Sequence, residues 1–402
     1  MSRFNENPDI FRTEVSNFIS ENCPAFLREM PADQREICWG GKRFEFSSDA
    51  QRDWMNAAAS VGLTAPRWPE AYGGAGLSRE QEKIFREEMA KAKAPSPLES
   101  FGLWMLGPAL LAFGTEDQKK HFLPQITRGE IRWCQGYSEP GAGSDLAGVQ
   151  TKAEDKGDHW LVNGSKIWTS YANHADWIFA LVRTDREAPK HKGISFMLID
   201  MTSEGVSTKP IKLISGRSPF CETFFENVKV PKSYGEGLSS VVGEVNRGWD
   251  VAKHLLTHER TMIGGGGGSG SIGGVLGGRS LGQFLGSLDE AVMDDPVIRT
   301  EAMELEVDSL AMGMTIERYR DMAKAGGVGN ASAMLKYYGT ELNKRRYEML
   351  MSATGAFGAE WDGPYGTLSP EWLRTKANSI EGGTSEVMLD IISKRVLELP
   401  SK

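Results

Sequence analysis

Apolar residues recur at three- and four-residue spacing over Phe11–Ile19 and over Gln81–Ala92, with charged residues between them. That is the pattern of helices that bury one face. The stretch Ala65–Gly76 interrupts it with prolines and glycines, so rigid turns are expected between the first helices. Near Arg132 the period changes. Between His159 and Thr169, apolar runs flank Asn163-Gly164, a dipeptide suited to a two-residue hairpin, and two strands joined there are expected. Trp177–Val182, Ile194–Ile199 and Thr223–Val230 read as further strands. After Pro231 helical spacing returns over Trp249–Met262, Thr300–Met322 and Ser332–Ser352. A last helix starts near Thr384 and carries Val387, Ile391, Ile392 and Leu397. The order is a helical block, a β block and a second helical block, without an internal repeat.

Composition narrows the class. At 402 residues, 40% hydrophobic and 25% charged, the chain reads as a soluble globular protein of two or three domains. A net charge of −8 without a dense Lys/Arg tract argues against nucleic-acid binding. No apolar run approaches the roughly 20 residues that span a bilayer, and the polar first residues lack a signal-peptide apolar segment, so no membrane span and a cytoplasmic location are expected. Cys23, Cys38, Cys134 and Cys221 are too scattered for a disulfide framework or a metal knuckle. His254 and His258 share a helix face, but Leu255 stands where a zinc protease has Glu, and no metal is expected.

The densest chemistry lies in Tyr137-Ser-Glu-Pro-Gly-Ala-Gly-Ser-Asp145. Its proline and glycines let the backbone turn sharply and present N–H groups, and Ser138 and Ser144 add hydroxyls. Taken with Val162–Ser170, Phe224–Pro231 and the tail Ile380-Glu-Gly-Gly-Thr-Ser-Glu386, this loop resembles the acyl-CoA dehydrogenase family. The resemblance covers nearly the whole chain, with four motifs in order. It implies an α+β fold: an N-terminal helical domain (1–130), a middle β-barrel or sandwich domain (131–235) and a C-terminal four-helix bundle (236–402). It also implies FAD as cofactor, an acyl-CoA substrate oxidised to the trans-2-enoyl-CoA, and an electron-transferring flavoprotein as acceptor. A homotetramer or homodimer is implied, with a heteromer as the variant.

By the same resemblance Tyr137, Ser138, Gly143 and Ser144 lie against the flavin ring, Ser144 also near the acyl-CoA. Trp168, Thr169 and Ser170 form the opposite wall. Thr384 and Glu386 hold the adenosine end, with Gly355 and Gly358 approaching it through backbone. Thr257, Arg260, Gly382 and Gly383 contact substrate. An Arg-x-x-Phe-Gly segment common in the family, which reaches the FAD pyrophosphate of a neighbouring subunit, is missing from Leu276–Gly286. Arg279 and Arg299 do not fit its spacing.

Oxidation needs a base for the α-proton, and a carboxylate buried beside the thioester suits it. Glu259, in Leu256-Thr-His-Glu-Arg260, matches the family's helix position and is preferred. Glu381 is the alternative, one residue early relative to the Glu-Gly-Thr tail of other members. Gly264 to Gly278 contains ten glycines. Five consecutive glycines inside a helix would cost roughly 4–5 kcal/mol, so the segment either breaks the helix or makes room, for a bulky acyl group or for tight packing. Two other functions share this scaffold: a non-catalytic or FAD-poor subunit of a heteromeric dehydrogenase, and a flavin oxidase or monooxygenase.

Overall fold

The computed structural model describes residues 4–31, 34–264, 285–286, 288, 290–324 and 329–400. The first helices are α1 (Pro8–Asn22), α2 (Ala25–Glu29), α3 (Asp49–Ser60), α4 (Arg79–Lys91), α5 (Gly107–Phe113) and α6 (Glu116–Thr127). Local sequence starts them. Asn7 caps α1 by accepting from the Asp9 and Ile10 N–H groups, ahead of Pro8 at the first helical position. Ser78 with Gln81, and Thr115 with Gln118, form reciprocal capping boxes on α4 and α6. Phe11, Val15, Ile19, Trp54, Leu63 and Phe85 close a core among the first four helices.

Eight strands follow: β1 (Trp133–Gly136), β2 (Lys152–Asp155), β3 (His159–Ser170), β4 (Trp177–Arg183), β5 (Ile194–Asp200), β6 (Val206–Ile211), β7 (Phe220–Pro231) and β8 (Val241–Val242). They join in one sheet of order β6-β7-β3-β2-β4-β5-β8, with β1 running parallel on β4. Its core holds Cys134, Trp160, Val162, Ile178, Met197 and Phe225. The fully buried Gln118 side chain ties α6 to this sheet by donating to the Ser239 and Val241 carbonyls at 2.8 and 2.9 Å.

The expected hairpin at Asn163-Gly164 is not there. β3 is a single strand of 12 residues through that dipeptide. β7 pairs with it from His159 to Ser170, with a register shift between Val162 and Gly164. The ladder overrides the turn propensity: β2 pairs with the first half of β3 and β7 with nearly all of it. The dipeptide makes a bulge instead, in which Asn163 Oδ1 accepts from the Asn227 N–H at 2.8 Å. Gly164 has φ +144°, and a Cβ there would lie 2.6 Å from Thr151 Oγ1.

The last helices are α7 (Gly248–Gly264), α8 (Glu290–Asp294), α9 (Pro296–Lys324), α10 (Ser332–Thr354), α11 (Leu368–Thr375) and α12 (Ser385–Ile391). Leu305, Met312, Leu335, Leu342 and Met349 form their core. Contacts group the chain into two compact units. The first holds residues up to Pro210 and Phe220–Leu255, so the N-terminal helices and the sheet share it; the second holds Ile211–Pro219 and Leu256–Lys402. Among the described residues no helix is long and apolar enough to cross a membrane.

Candidate active site

The loop after β1 is fixed from beneath by a buried ion pair. Glu139 and Ala142 exchange two backbone hydrogen bonds of 3.0 Å, closing a tight turn around Pro140 and Gly141. The Glu139 carboxylate accepts from the Gln150 and Thr151 N–H groups at 2.6 and 2.9 Å. It also accepts from Lys166 Nζ at 2.7 Å, and the same ammonium donates to the Tyr137 carbonyl at 3.2 Å. Lys166 is wholly buried. Burial works against the charge on Glu139, but the ammonium and the donated N–H bonds outweigh it and hold the carboxyl below its usual range. On Lys166 burial prevails over Glu139 and draws the ammonium down to about 8. Sequence reasoning passed over this pair; its signal was a lysine set between the strand's apolar positions.

Lys166 belongs to β3, so the pair clamps the loop to the strand that carries Trp168. The Ile167 N–H donates to the Ser138 carbonyl at 2.9 Å, bringing loop and strand together one residue from the indole. There β3 slips register again, between Lys166 and Thr169. Trp168 takes φ +61°, a left-handed conformation that a bulky side chain adopts at a cost. The flip turns the indole outward, 52% exposed, edge-on to Phe220 at 6.1 Å. Thr169 points the opposite way: fully buried, its hydroxyl is 2.7 Å from the Cys221 carbonyl and 2.8 Å from Thr223 Oγ1. Tyr137 is also buried, edge-on to Phe179 and Phe196.

What faces outward suits a flat ring with a polar edge. The hydroxyls of Ser138, Ser144 and Ser170 make no hydrogen bond among the described residues. Gly141 and Gly143 front open space, where an added Cβ would meet nothing within 4 Å. With the outward indole, these are groups that can stack on and hydrogen-bond to an isoalloxazine.

In the second unit, Gly382 and Gly383 take φ of +63° and +98° and turn the chain into α12. Thr384 caps that helix, its hydroxyl accepting from the Val387 N–H at 3.2 Å. Glu386 stands exposed in the first turn, where its own N–H and the Thr384 hydroxyl hold its carboxyl below the usual range. Gly355 faces open space, whereas Gly358 is pressed against Thr354. Both Glu381 oxygens are engaged: Arg374 Nη2 donates at 2.7 Å and Asn378 Nδ2 at 3.0 Å. Thr257, Glu259 and Arg260 lie in α7 by backbone, and their side chains fall outside the described residues. The segment 265–284 lies outside them altogether, including Arg279 and most of the glycine run.

Three family models match the chain. They are acyl-CoA dehydrogenase, N-terminal domain, over residues 5–130; middle domain, over 134–228; and C-terminal domain, over 246–397. Acyl-CoA dehydrogenase IpdE1 of Mycobacterium tuberculosis is 35% identical over 397 residues, 97% of each chain. The solved structure of the Tcur3481-Tcur3483 steroid ACAD is similar at TM-score 0.76 and 30% identity over the full length of both chains. The ChsE4-ChsE5 complex from Mycobacterium tuberculosis is similar at TM-score 0.71 and 26% identity, again over both full lengths.

Proposed function

This chain belongs to the acyl-CoA dehydrogenase family of FAD-dependent oxidoreductases, and from that premise we propose that it desaturates an acyl-CoA bearing a bulky, ring-containing acyl group. Glu259 takes the α-proton, the electrons of that C–H bond form the new double bond, and a hydride leaves the β-carbon, giving the trans-2-enoyl-CoA. Bound FAD supplies the hydride acceptor, and an electron-transferring flavoprotein then draws the electrons away. The outward indole of Trp168 and the Ser138 and Ser170 hydroxyls are the groups that would hold the flavin ring. Ser144 reaches toward the acyl-CoA. Thr384, Glu386 and the backbone at Gly355 and Gly358 hold the adenosine end, while Thr257, Arg260, Gly382 and Gly383 meet substrate.

The observation that carries this reading is the left-handed bulge at Trp168, which spends stability to turn a large apolar ring outward on the strand that the Ser138 carbonyl ties to the loop. Glu259 is preferred as base because Glu381 is already held by Arg374 and Asn378. The ring-containing acyl group is supported by similarity to a steroid ACAD. Anaerobic titration with a panel of straight and ring-bearing acyl-CoAs tests all three points through flavin bleaching. Wild type and Glu381→Gln should bleach, fastest with ring-bearing thioesters, and Glu259→Gln should not. Bleaching kept in Glu259→Gln but lost in Glu381→Gln would reverse the assignment of the base.

A second reading, as an FAD-poor subunit of a heteromer, is favoured by the missing Arg-x-x-Phe-Gly segment. Chain purified alone that is colourless and takes up no FAD would establish it over the first. Rapid oxygen consumption by the reduced protein would instead mark an oxidase or monooxygenase.

A further inference from the structure

Arg132, the residue before β1, is only 7% exposed. Its guanidinium lies 4.8 Å over the ring of Trp39 and 5.3 Å over that of Tyr171. Among the described residues its side chain makes no hydrogen bond and no ion pair. The neighbouring carboxylate, Asp176, acts on the guanidinium charge without a hydrogen bond to it: its Oδ2 accepts from the Arg132 backbone N–H at 2.8 Å and the Lys42 N–H at 3.0 Å. Burial is the strongest influence on the guanidinium and draws its pKa down to about 10. A largely buried cation whose N–H donors find no acceptor among the described residues keeps only the little water that reaches it, and aromatic faces offset the lost hydration only in part. An acceptor from outside the chain would complete the arrangement.

The surroundings favour an anion. His174 is held below its usual range by burial and by the nearby charges of Arg132 and Arg43. Arg43 itself is anchored by donating to the Ala175 carbonyl at 2.7 Å. The surroundings are also built. Gly41 takes φ +107°, and a Cβ there would lie 2.7 Å from Arg132 Cβ, so only glycine lets the turn after Trp39 close down. Trp39 stacks on Phe101 with centroids 6.3 Å apart and meets Trp104 edge-on at 5.8 Å. Phe101 and Trp104 flank the start of a π-helical turn, Gly102–Leu106, a widened geometry frequent at functional sites. All four rings are half-buried. Tyr171 follows the end of β3, three residues past Trp168, so roughly 10 Å of backbone separates this cluster from the outward indole.

We propose that Arg132, framed by Trp39 and Tyr171, binds a carboxylate carried on the ring-bearing part of the acyl substrate, remote from the thioester. The planar guanidinium matches a carboxylate in a two-point hydrogen bond, and Phe101 and Trp104 offer apolar faces to the attached rings. The inference rests on the ring-containing acyl group proposed above, but its test reads binding and not turnover.

The FAD-loaded protein is titrated with 2-naphthoate, with neutral 2-naphthamide and with inorganic pyrophosphate, following tryptophan emission. Naphthoate should bind at least about tenfold more tightly than the amide, the worth of one charge-assisted contact. Arg132→Met should erase that gap while circular dichroism stays native, and Arg132→Lys should keep only part of it. Should Arg132→Met fail to fold, Tyr171→Ala takes its place, and the gap should narrow as one aromatic face is lost. Equal affinity for acid and amide in wild type, or a gap that survives in Arg132→Met, overturns the proposal. Pyrophosphate binding more tightly than naphthoate, and only when Arg132 is present, overturns it in favour of a phosphate group of CoA or FAD. Discrimination at Arg132 without any flavin bleaching by acyl-CoA would support this site while sinking the catalytic reading.

Discussion

Glu139→Gln would leave the Lys166 ammonium buried against a neutral amide. The expected loss is about 3 kcal/mol in urea unfolding, and Lys166→Met should cost less, because Glu139 would keep its two backbone donors. The same carboxylate sets an acid limit. Its folded pKa lies below the ordinary 4.5, so the unfolded chain binds more protons once the pH falls under that value. Its contribution is therefore complete above about pH 4.5 and is lost as the pH drops through the folded value; Glu139→Gln should flatten the acid side of a stability–pH curve. Trp168→Gly separates strain from recognition. Glycine relieves about 1–2 kcal/mol of left-handed cost, so the apoprotein should melt no lower, yet FAD should bind about tenfold more weakly without the indole. At this scale the motifs pointed to Ser138, Ser144 and Trp168, of which Ser144 and Trp168 stand exposed and Ser138 is half-buried. It could not show that Thr169 turns inward, since that depends on the bulge one residue earlier.

The secondary-structure elements show where local pattern suffices and where it fails. Helices α1, α4 and α6 begin at caps visible in the sequence, and α9 and α10 follow their apolar spacing to within a few residues. β3 went the other way: Asn163-Gly164 is a strong turn former on its own, but partners distant in sequence decide a strand. β2, at four residues, and β6, largely polar, carried too little pattern to be seen at all. Gln118 illustrates an element-scale dependence that a capping box alone does not reveal. Gln118→Leu keeps the volume but takes the amide donor from the Ser239 and Val241 carbonyls, leaving Val241 only the Ser239 hydroxyl at 3.0 Å, and should cost about 2 kcal/mol, more than the loss of a cap. Gln118→Glu should cost as much, because it replaces the donor with an acceptor. Urea midpoints of the two variants check both.

For the whole molecule, FAD is part of the stability. A ligand that binds only the folded chain at a hundred times its Kd adds about 2.7 kcal/mol, so excess FAD should raise the melting temperature of the purified chain by itself. A rise seen only when a second, different chain is present would favour the heteromeric reading. The division into compact units bears on how the gene can be dissected. The backbone passes from one unit to the other between Pro210 and Ile211, returns between Pro219 and Phe220, and leaves again after Leu255. A gene cut at codon 255 would therefore yield two fragments of unequal standing: the first would carry residues 212–219 without the second-unit residues they group with, and the second would lack that piece. Cutting once cannot separate the two halves of this protein. During synthesis, too, those residues (212–219) must wait for the carboxyl-terminal third of the chain to emerge before they find their place.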